Sequence, residues 1–373
     1  MDEYDHMEEL GLMEDRQFIC GCHGFLTPTN STRDLCARYM RDGGRVFDVL
    51  SRYEEVASMF LRSEKDDGNG IIKMIVPLLR AHGVTDHGAY TFFKENLRLM
   101  PGAGQAMRYL RDLEPCFINT GALDHQMMNV TELLGIPMTN VNCSQASFDS
   151  VDISKQEGKE LRDLAAKLAR MDPDEIGFTE EEGGTRAMGI IDAVIAERIP
   201  EMDLFNDLSN IVSIGANEKS YTLLEIRNQT SVDFDSTFYA GSGHSDHLAM
   251  DIVRDTGGLA VSFNGCADVV CTSNIAVISP DSTVVAVLAA EFYDGGIESV
   301  HELVDEWTLD HLRKKEGPDR HLLDELLRTS GRRLPEVARV TLDNMEELTE
   351  RSEAYRKRLT DPGRYRGNTR QKF

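Results

Sequence analysis

At 373 residues and 41% hydrophobic, the chain is long enough for one elaborated domain or two, with a substantial buried core. Forty basic against 64 acidic residues give a net charge of −24, a surface that repels nucleic acid and anionic lipid. No run of about 18 apolar residues occurs, so no membrane-spanning helix is expected, and the acidic start is unlike a secretory signal.

Seven scattered cysteines, an odd number with no C-x-x-C, point to a reducing cytoplasm. Cys20-Gly-Cys22-His23 is one residue short of a haem-attachment motif. Residues 1–15 carry seven acids and no Lys or Arg, and eight Lys or Arg follow from Arg351 onward. Both ends read as solvated tails, with a docking role for the basic one as the alternative.

In chain order, Gln17 to Leu26 reads as a buried strand running into a glycine turn. Leu35, Tyr39, Val46, Val49, Leu50, Tyr53, Val56 and Phe60 recur at helical spacing between Ser31 and Arg62. Ile71 to Leu79 is apolar and interrupted by Pro77, and Thr85 is a candidate N-cap for a helix to Met100. A helix from Pro101 to Leu113 leads to a short strand at Cys116-Phe-Ile-Asn. Asp124 to Leu134 is helical and is closed by Gly135 and Pro137. Val141-Asn-Cys is a brief strand, and Asp152 to Met202 is helical and charged, broken by a loop at Glu180-Glu-Glu-Gly-Gly. Ile211-Val-Ser-Ile-Gly is read as the strand that resumes the sheet, followed by a helix from Glu218 to Gln229.

The stretch from Phe238 to Ile278 reads as strand, polar loop, helix, strand, short helix, strand. Its short apolar runs bounded by glycine suit strands buried on both faces of a parallel sheet. A helix follows Pro280 to Phe292, and residues 298–360 are read as helical, either an added packing layer or a dimer face. Alternating strands and helices imply a doubly wound parallel α/β sheet. The core is expected at 17–35, 101–150 and 205–297. Helical inserts fill 36–100 and 151–204, a helical extension runs over 298–360, and tails occupy 1–16 and 361–373.

The order and three motifs resemble the haloacid dehalogenase (HAD) superfamily. They are Phe18-Ile-Cys-Gly-Cys-His-Gly-Phe-Leu, Ser51-Arg-Tyr-Glu-Glu-Val and Gly257-Gly-Leu-Ala-Val-Ser-Phe-Asn-Gly. More narrowly, residues 17 to 300 look like an archaeal HAD-like family labelled energy-converting hydrogenase A subunit R. The resemblance implies a HAD-like fold with helical caps. It also implies a phosphoryl-transfer site built from an Asp nucleophile, a nearby acid, a Ser or Thr, a Lys and Mg²⁺-holding carboxylates. A carboxylate can approach a phosphoryl group only where metal and Lys offset repulsion.

Carried over by residue, the nucleophile position is Gly21 and the acid/base position is His23. The hydroxyl position is Thr120, or Asn119 if the pattern shifts by one, and the cation is Lys219. The first metal acid is replaced by Ser242, and the second is Asp246. Loss of a covalent nucleophile forfeits roughly 10⁴-fold or more in rate, and too few carboxylates remain for Mg²⁺. Ordinary aspartyl-phosphate catalysis is therefore expected to be lost. That leaves a binding, regulatory or accessory protein whose pocket, with Thr120 and Lys219, takes a small anion, a phosphorylated ligand or a protein partner.

The alternative is an altered phosphoester hydrolase in which His23, His244 and Asp246, joined by His247 or His125, hold Zn²⁺, Fe²⁺ or Ni²⁺. Against it stands the plain reading of these residues as polar loop side chains. Ser245-Asp246-His247 holds the letters of a hydrolytic triad, but adjacent residues cannot adopt its geometry.

Overall fold

The computed structural model describes residues 16–60, 70–179, 183–316, 320–331 and 333–359. Strands β1 (Gln17–Cys20), β2 (Cys116–Leu123), β3 (Val141–Ser144), β6 (Thr237–Gly241), β7 (Leu259–Phe263), β8 (Ile275–Ile278) and β9 (Glu336–Arg339) form one sheet ordered β3-β2-β1-β6-β7-β8-β9. Phe178–Thr179 and Gly183–Gly184 are β4 and β5, a separate two-stranded hairpin. Every pairing from β3 to β8 is parallel, and β9 alone runs antiparallel, on β8. Leaving out β9, the order is that of a doubly wound sheet whose strand order reverses beside β1, the place where such folds gather their site loops.

Helices in chain order are α1 (Ser31–Tyr39), α2 (Gly43–Phe60), α3 (Ile71–Ala81), α4 (Asp86–Asn96), α5 (Ala103–Leu113), α6 (Asp124–Leu134), α7 (Lys155–Leu168) and α8 (Arg186–Asp192). They continue as α9 (Ala216–Thr230), α10 (His247–Asp255), α11 (Ala267–Cys271), α12 (Thr283–Asp305), α13 (Leu309–Lys314), α14 (Arg320–Ser330) and α15 (Met345–Leu359).

All four residues of β1 are buried, because the strand is central and covered on both faces. Phe18 and Cys20 join Phe238, Ala240 and the inner stripes of α5 and α12 in one cluster. Ile19 and Tyr239 point to the opposite face, under α9 and α10. The buried Gln17 amide is satisfied on both sides, by Thr237 Oγ1 and Thr230 Oγ1 at 2.8 Å each.

The two helical inserts are not independent. Leu35, Val49, Ile75, Leu79, Leu161, Leu164, Ile191 and Leu204 share one hydrophobic cluster, so segments far apart in sequence make one cap body. A cleft of about 930 Å³ on this body is lined by Lys159, Asp163, Lys167 and Arg186.

Several expectations need correction. The long first helix is two, broken at Asp42, whose φ of 55° ends any helix. Thr85 does cap α4, accepting from Gly88 N at 3.0 Å, but that helix stops at Asn96. Ile211-Val-Ser-Ile-Gly is not a sheet strand. Val212 makes one antiparallel bridge to Gln145 and is exposed, because here the chain is crossing from cap to core. The C-terminal extension is not wholly helical, since Glu336–Arg339 adds the edge strand β9. Leu312, Leu322, Leu323 and Leu326 are buried in the main core, so this apolar stripe is a packing layer. Of the expected loop at 180–184, residues 180–182 lie outside the described residues and Gly183–Gly184 form β5.

Candidate functional site

The loops after β1, β2 and β6 meet at one end of the sheet. Gly21 follows β1 directly, its N–H donating to Ala240 O at 3.0 Å. A Cβ built on Gly21 would lie 3.3 and 3.4 Å from the two Asp246 carboxylate oxygens. A side chain at position 21 would therefore start in tight contact with a carboxylate from another loop.

Asp246 is held by four donors: Lys219 Nζ at 2.7 Å and Tyr239 Oη at 3.2 Å on Oδ1, and the N–H groups of Ser242 and Gly243 at 3.0 Å each on Oδ2. A carboxylate has about four lone-pair sites, so this one is saturated. Burial raises its pKa, but the Lys219 charge and hydrogen bond, with the two N–H groups, outweigh burial and lower it. Asp246 is thus an anion whose oxygens are all engaged.

Lys219 is buried near the start of α9. Its carbonyl accepts from Asn119 Nδ2 at 2.9 Å, and Asn119 Oδ1 accepts from Asn142 Nδ2 at 2.9 Å. Asn142 also donates to Thr222 on α9 at 2.6 Å. Asn119 therefore clamps the lysine's helix to the sheet. The hydroxyl at this end of β2 belongs to Thr120, which accepts from Ala122 N at 3.1 Å and lies two residues beyond the last β1 pairing, Cys20 with Ile118.

His23 sits beside this pair. Its pKa falls to about 4, first through burial and then through the Lys219 charge, opposed by a hydrogen bond with Gln126, with lesser effects from Arg356 downward and Asp246 upward. The ring is therefore neutral at pH 7. His23 Nε2 and Gln126 Oε1 are both buried without a hydrogen-bond partner among the described residues. Gln126 nevertheless raises the His23 pKa as a hydrogen-bonding neighbour, so the two side chains lie against each other. The Gln126 amide nitrogen reaches Cys22 Sγ at 3.7 Å.

Ser242 receives a cation. Arg356 Nη1 on α15 donates to Ser242 O and lies 3.4 Å from Ser242 Oγ. The helix that carries it is fixed by Leu348, buried against Val270 and Ala276. Ser352 Oγ donates to Gly265 O at 2.7 Å, and Glu353 accepts from Ala267 N at 3.2 Å.

The other histidines end on separate partners. His244 Nδ1 meets Asp268 at 2.7 Å, and its Nε2 meets Ser58 Oγ at 3.1 Å. This chain has the order of a Ser-His-Asp triad. Burial lowers the His244 pKa, but Asp268 and the charges of Glu55 and Glu54 raise it overall. The ring is thereby pushed toward imidazolium, and Ser58 Oγ also donates to Glu55 O at 2.8 Å. With its hydroxyl hydrogen on Glu55 O, Ser58 is not donating to His244 in this structure, and the three side chains link α2 to the core loops. His247 Nδ1 lies 2.6 Å from His244 O. His125 Nε2 hydrogen-bonds Asp86 at 3.1 Å, a second tether, this one to α4, and its Nδ1 lies 2.8 Å from Asp124. Glu54, buried where α2 meets Ile71 N, is raised by burial to about 7.

The structure brings Gly21, Lys219 and Asp246 together, sets His23 within reach of their charges, and sends His244, His247 and His125 elsewhere. Among the described residues no group of three or more His, Cys, Asp or Glu is arranged to hold a metal. The residues also do not fit Mg²⁺. That ion needs several free oxygen ligands, yet Gly21 has none, Asp246 is saturated, and a guanidinium stands at Ser242.

Sequence reasoning missed Arg356, Gln126 and Tyr239. Arg356 lay in what read as the start of a basic tail; the signal was Leu348 and Ser352, which share its helix face. Tyr239 was visible as a polar-tipped residue within an apolar strand.

No family model matches the chain, and no curated protein matches it. Among solved structures, it matches a gene product of Archaeoglobus fulgidus with a TM-score of 0.73 and 19% identity, over 94% of this chain and 98% of that one. A phosphoserine phosphatase carrying a phospho-aspartyl intermediate analogue matches with a TM-score of 0.45 and 11% identity, over 74% of this chain and 99% of that one. A HAD family hydrolase from Salmonella enterica matches with a TM-score of 0.40 and 11% identity, over 69% and 70%. The first likeness, along nearly the whole chain, shows a shared fold, and the structural neighbours include HAD-family hydrolases.

Proposed function

We propose that the chain is a HAD-like protein that has given up aspartyl-phosphate chemistry and serves as a binding or accessory protein for a small oxyanion or phosphorylated ligand. The observation that carries this reading is the placement of Asp246. Its carboxylate lies over Gly21 with all four acceptor sites filled, one of them by the lysine that would offset a phosphoryl group's charge. A saturated, ion-paired carboxylate is a poor nucleophile and a poor metal ligand. The buried polar side chains His23 and Gln126 support a retained ligand site beside it.

The test is turnover of a generic phosphomonoester by purified protein with Mg²⁺, alongside calorimetric titration with inorganic phosphate. The reading expects binding without turnover. Turnover above about 1 s⁻¹, within the ordinary enzyme range, that is lost in Asp246→Asn would overturn it.

A further inference from the structure

We infer that a proton-dependent latch holds the cap on the core, so that its contact with the site loops is firm in weakly acidic solution and loosens as pH rises past neutral. The latch stands apart from whatever the pocket binds.

Two bridges cross from cap to core through a histidine of the core. His244, in the loop after β6, meets Ser58 on α2 at 3.1 Å. His125, at the start of α6, meets Asp86 on α4 at 3.1 Å. The first bridge fixes the protonation of its ring. Ser58 gives its hydrogen to Glu55 O, so its Oγ is left to accept from His244 Nε2. His244 Nδ1 faces the Asp268 carboxylate at 2.7 Å, which also accepts. A ring that donates from both nitrogens is an imidazolium. His125 likewise has a carboxylate at each nitrogen, Asp86 at Nε2 and Asp124 2.8 Å from Nδ1.

Glu54 on α2 is a third group at this boundary. It accepts from Ile71 N at 3.2 Å, and a Cβ built on Gly215, at the start of α9 in the core, would lie 3.6 Å from its Oε1. Burial raises its pKa to about 7, with the charges of Glu55 and Glu218 and against the Ile71 N–H and the His244 charge.

The charges around the histidines act in the same direction. Asp268, Glu55 and Glu54 surround His244, with the His247 ring 4.7 Å away, and Arg52 and His247 act on Asp268 in turn. Asp124 and Asp86 flank His125, whose ring lies 5.6 Å from that of Phe148. Burial lowers both histidines, and the carboxylates outweigh it, so both pKa values are raised.

All three groups therefore hold a proton more tightly with the cap closed than in water. Such a group contributes fully below its ordinary pKa, and the contribution is lost as pH rises through the closed-state value. For Glu54 this range runs from 4.5 to about 7, and for the histidines it begins at 6.5. Loss of the protons leaves Glu54 charged beside Glu55 and Glu218, and leaves His244 one hydrogen short of its two acceptors.

The experiment is hydrogen–deuterium exchange of the full chain, read by mass spectrometry at pH 5.5, 7 and 8.5 and corrected for the intrinsic pH dependence of exchange. The Ile72 and Phe148 amides report the latched contacts, since they donate to Ser213 Oγ and Asp86 Oδ1. The Ile19 and Val261 amides report the central sheet. Protection of the first pair is expected to fall about ten-fold or more from pH 5.5 to 8.5 while the second pair holds, because a pKa difference of one in a single group is worth up to a factor of ten. Glu54→Gln, uncharged at every pH, should keep more protection at pH 8.5 than wild type. The double variant His125→Gln/His244→Gln should show low protection throughout. Latch protection that does not change with pH, that falls only together with the sheet, or that keeps its wild-type pH dependence in both variants overturns the inference.

Discussion

Lys219→Met separates a structural ion pair from a catalytic lysine. Both side chains of the Lys219–Asp246 pair are almost completely buried, at 4% and 3% exposure. Removing the lysine leaves a buried carboxylate with three donors in place of four. Breaking a buried pair in this way costs about 3–5 kcal/mol, and the remaining donors favour the lower end. The double variant Lys219→Met/Asp246→Asn should recover part of that loss. Its amide oxygen can still accept from the Ser242 and Gly243 N–H groups, while the amide nitrogen donates to Tyr239 Oη. Urea unfolding followed by circular dichroism reads both, provided the slope with denaturant is unchanged between variants. A loss below about 1 kcal/mol for Lys219→Met, or a double variant less stable than the single one, would refute the reasoning.

The same pair sets an acid limit. The Asp246 pKa is lowered in the folded state, so its contribution is present above the unfolded carboxylate pKa and lost as pH falls through the folded value. Asp246→Asn should therefore flatten the acid limb of a stability–pH profile. His244 runs the other way, its pKa being raised by Asp268, Glu55 and Glu54 against burial. Its contribution is complete below the unfolded histidine pKa and fades as pH rises through the folded one, so His244→Gln should cost more at pH 5.5 than at pH 9. Gly21→Asp should not restore phosphatase turnover. Its carboxylate would meet Asp246, whose oxygens already lie 3.3–3.4 Å from a Cβ there, and two carboxylates so close cannot both ionise freely. Gly258→Ala places a Cβ 2.1 Å from Phe234 O and should destabilise the protein by about 1–3 kcal/mol, read by thermal melting.

The strands were legible in the sequence wherever both faces are buried. Gln17–Cys20, Thr237–Gly241, Leu259–Phe263 and Ile275–Ile278 each show an apolar run bounded by a turn or glycine. The edge strand β9 was not. Glu336–Arg339 has one buried, two half-buried and one exposed residue, so it lacks such a run. Ile211 to Gly215 has the composition of a strand, but its backbone is used by a single bridge. At the site, the sequence named Gly21, Lys219 and Asp246 as neighbours, and the structure brings those three together. The site's other partners were not legible, because hydrogen bonds such as Asp246 with Tyr239, or Ser242 with Arg356, depend on which side chains the folded loops bring together. The union of the two inserts in one cap core was hidden for the same reason. Each helix shows its apolar face locally, and nothing in its spacing says which distant helix covers that face.

The central claim is that this scaffold has no carboxylate free to attack phosphorus. The most direct measurement is intact-protein mass spectrometry, with peptide mapping, after exposure to a small acyl phosphate donor and Mg²⁺. The account predicts no gain of a phosphoryl group on any Asp or Glu. A phosphoryl group mapped to Asp246 would contradict it.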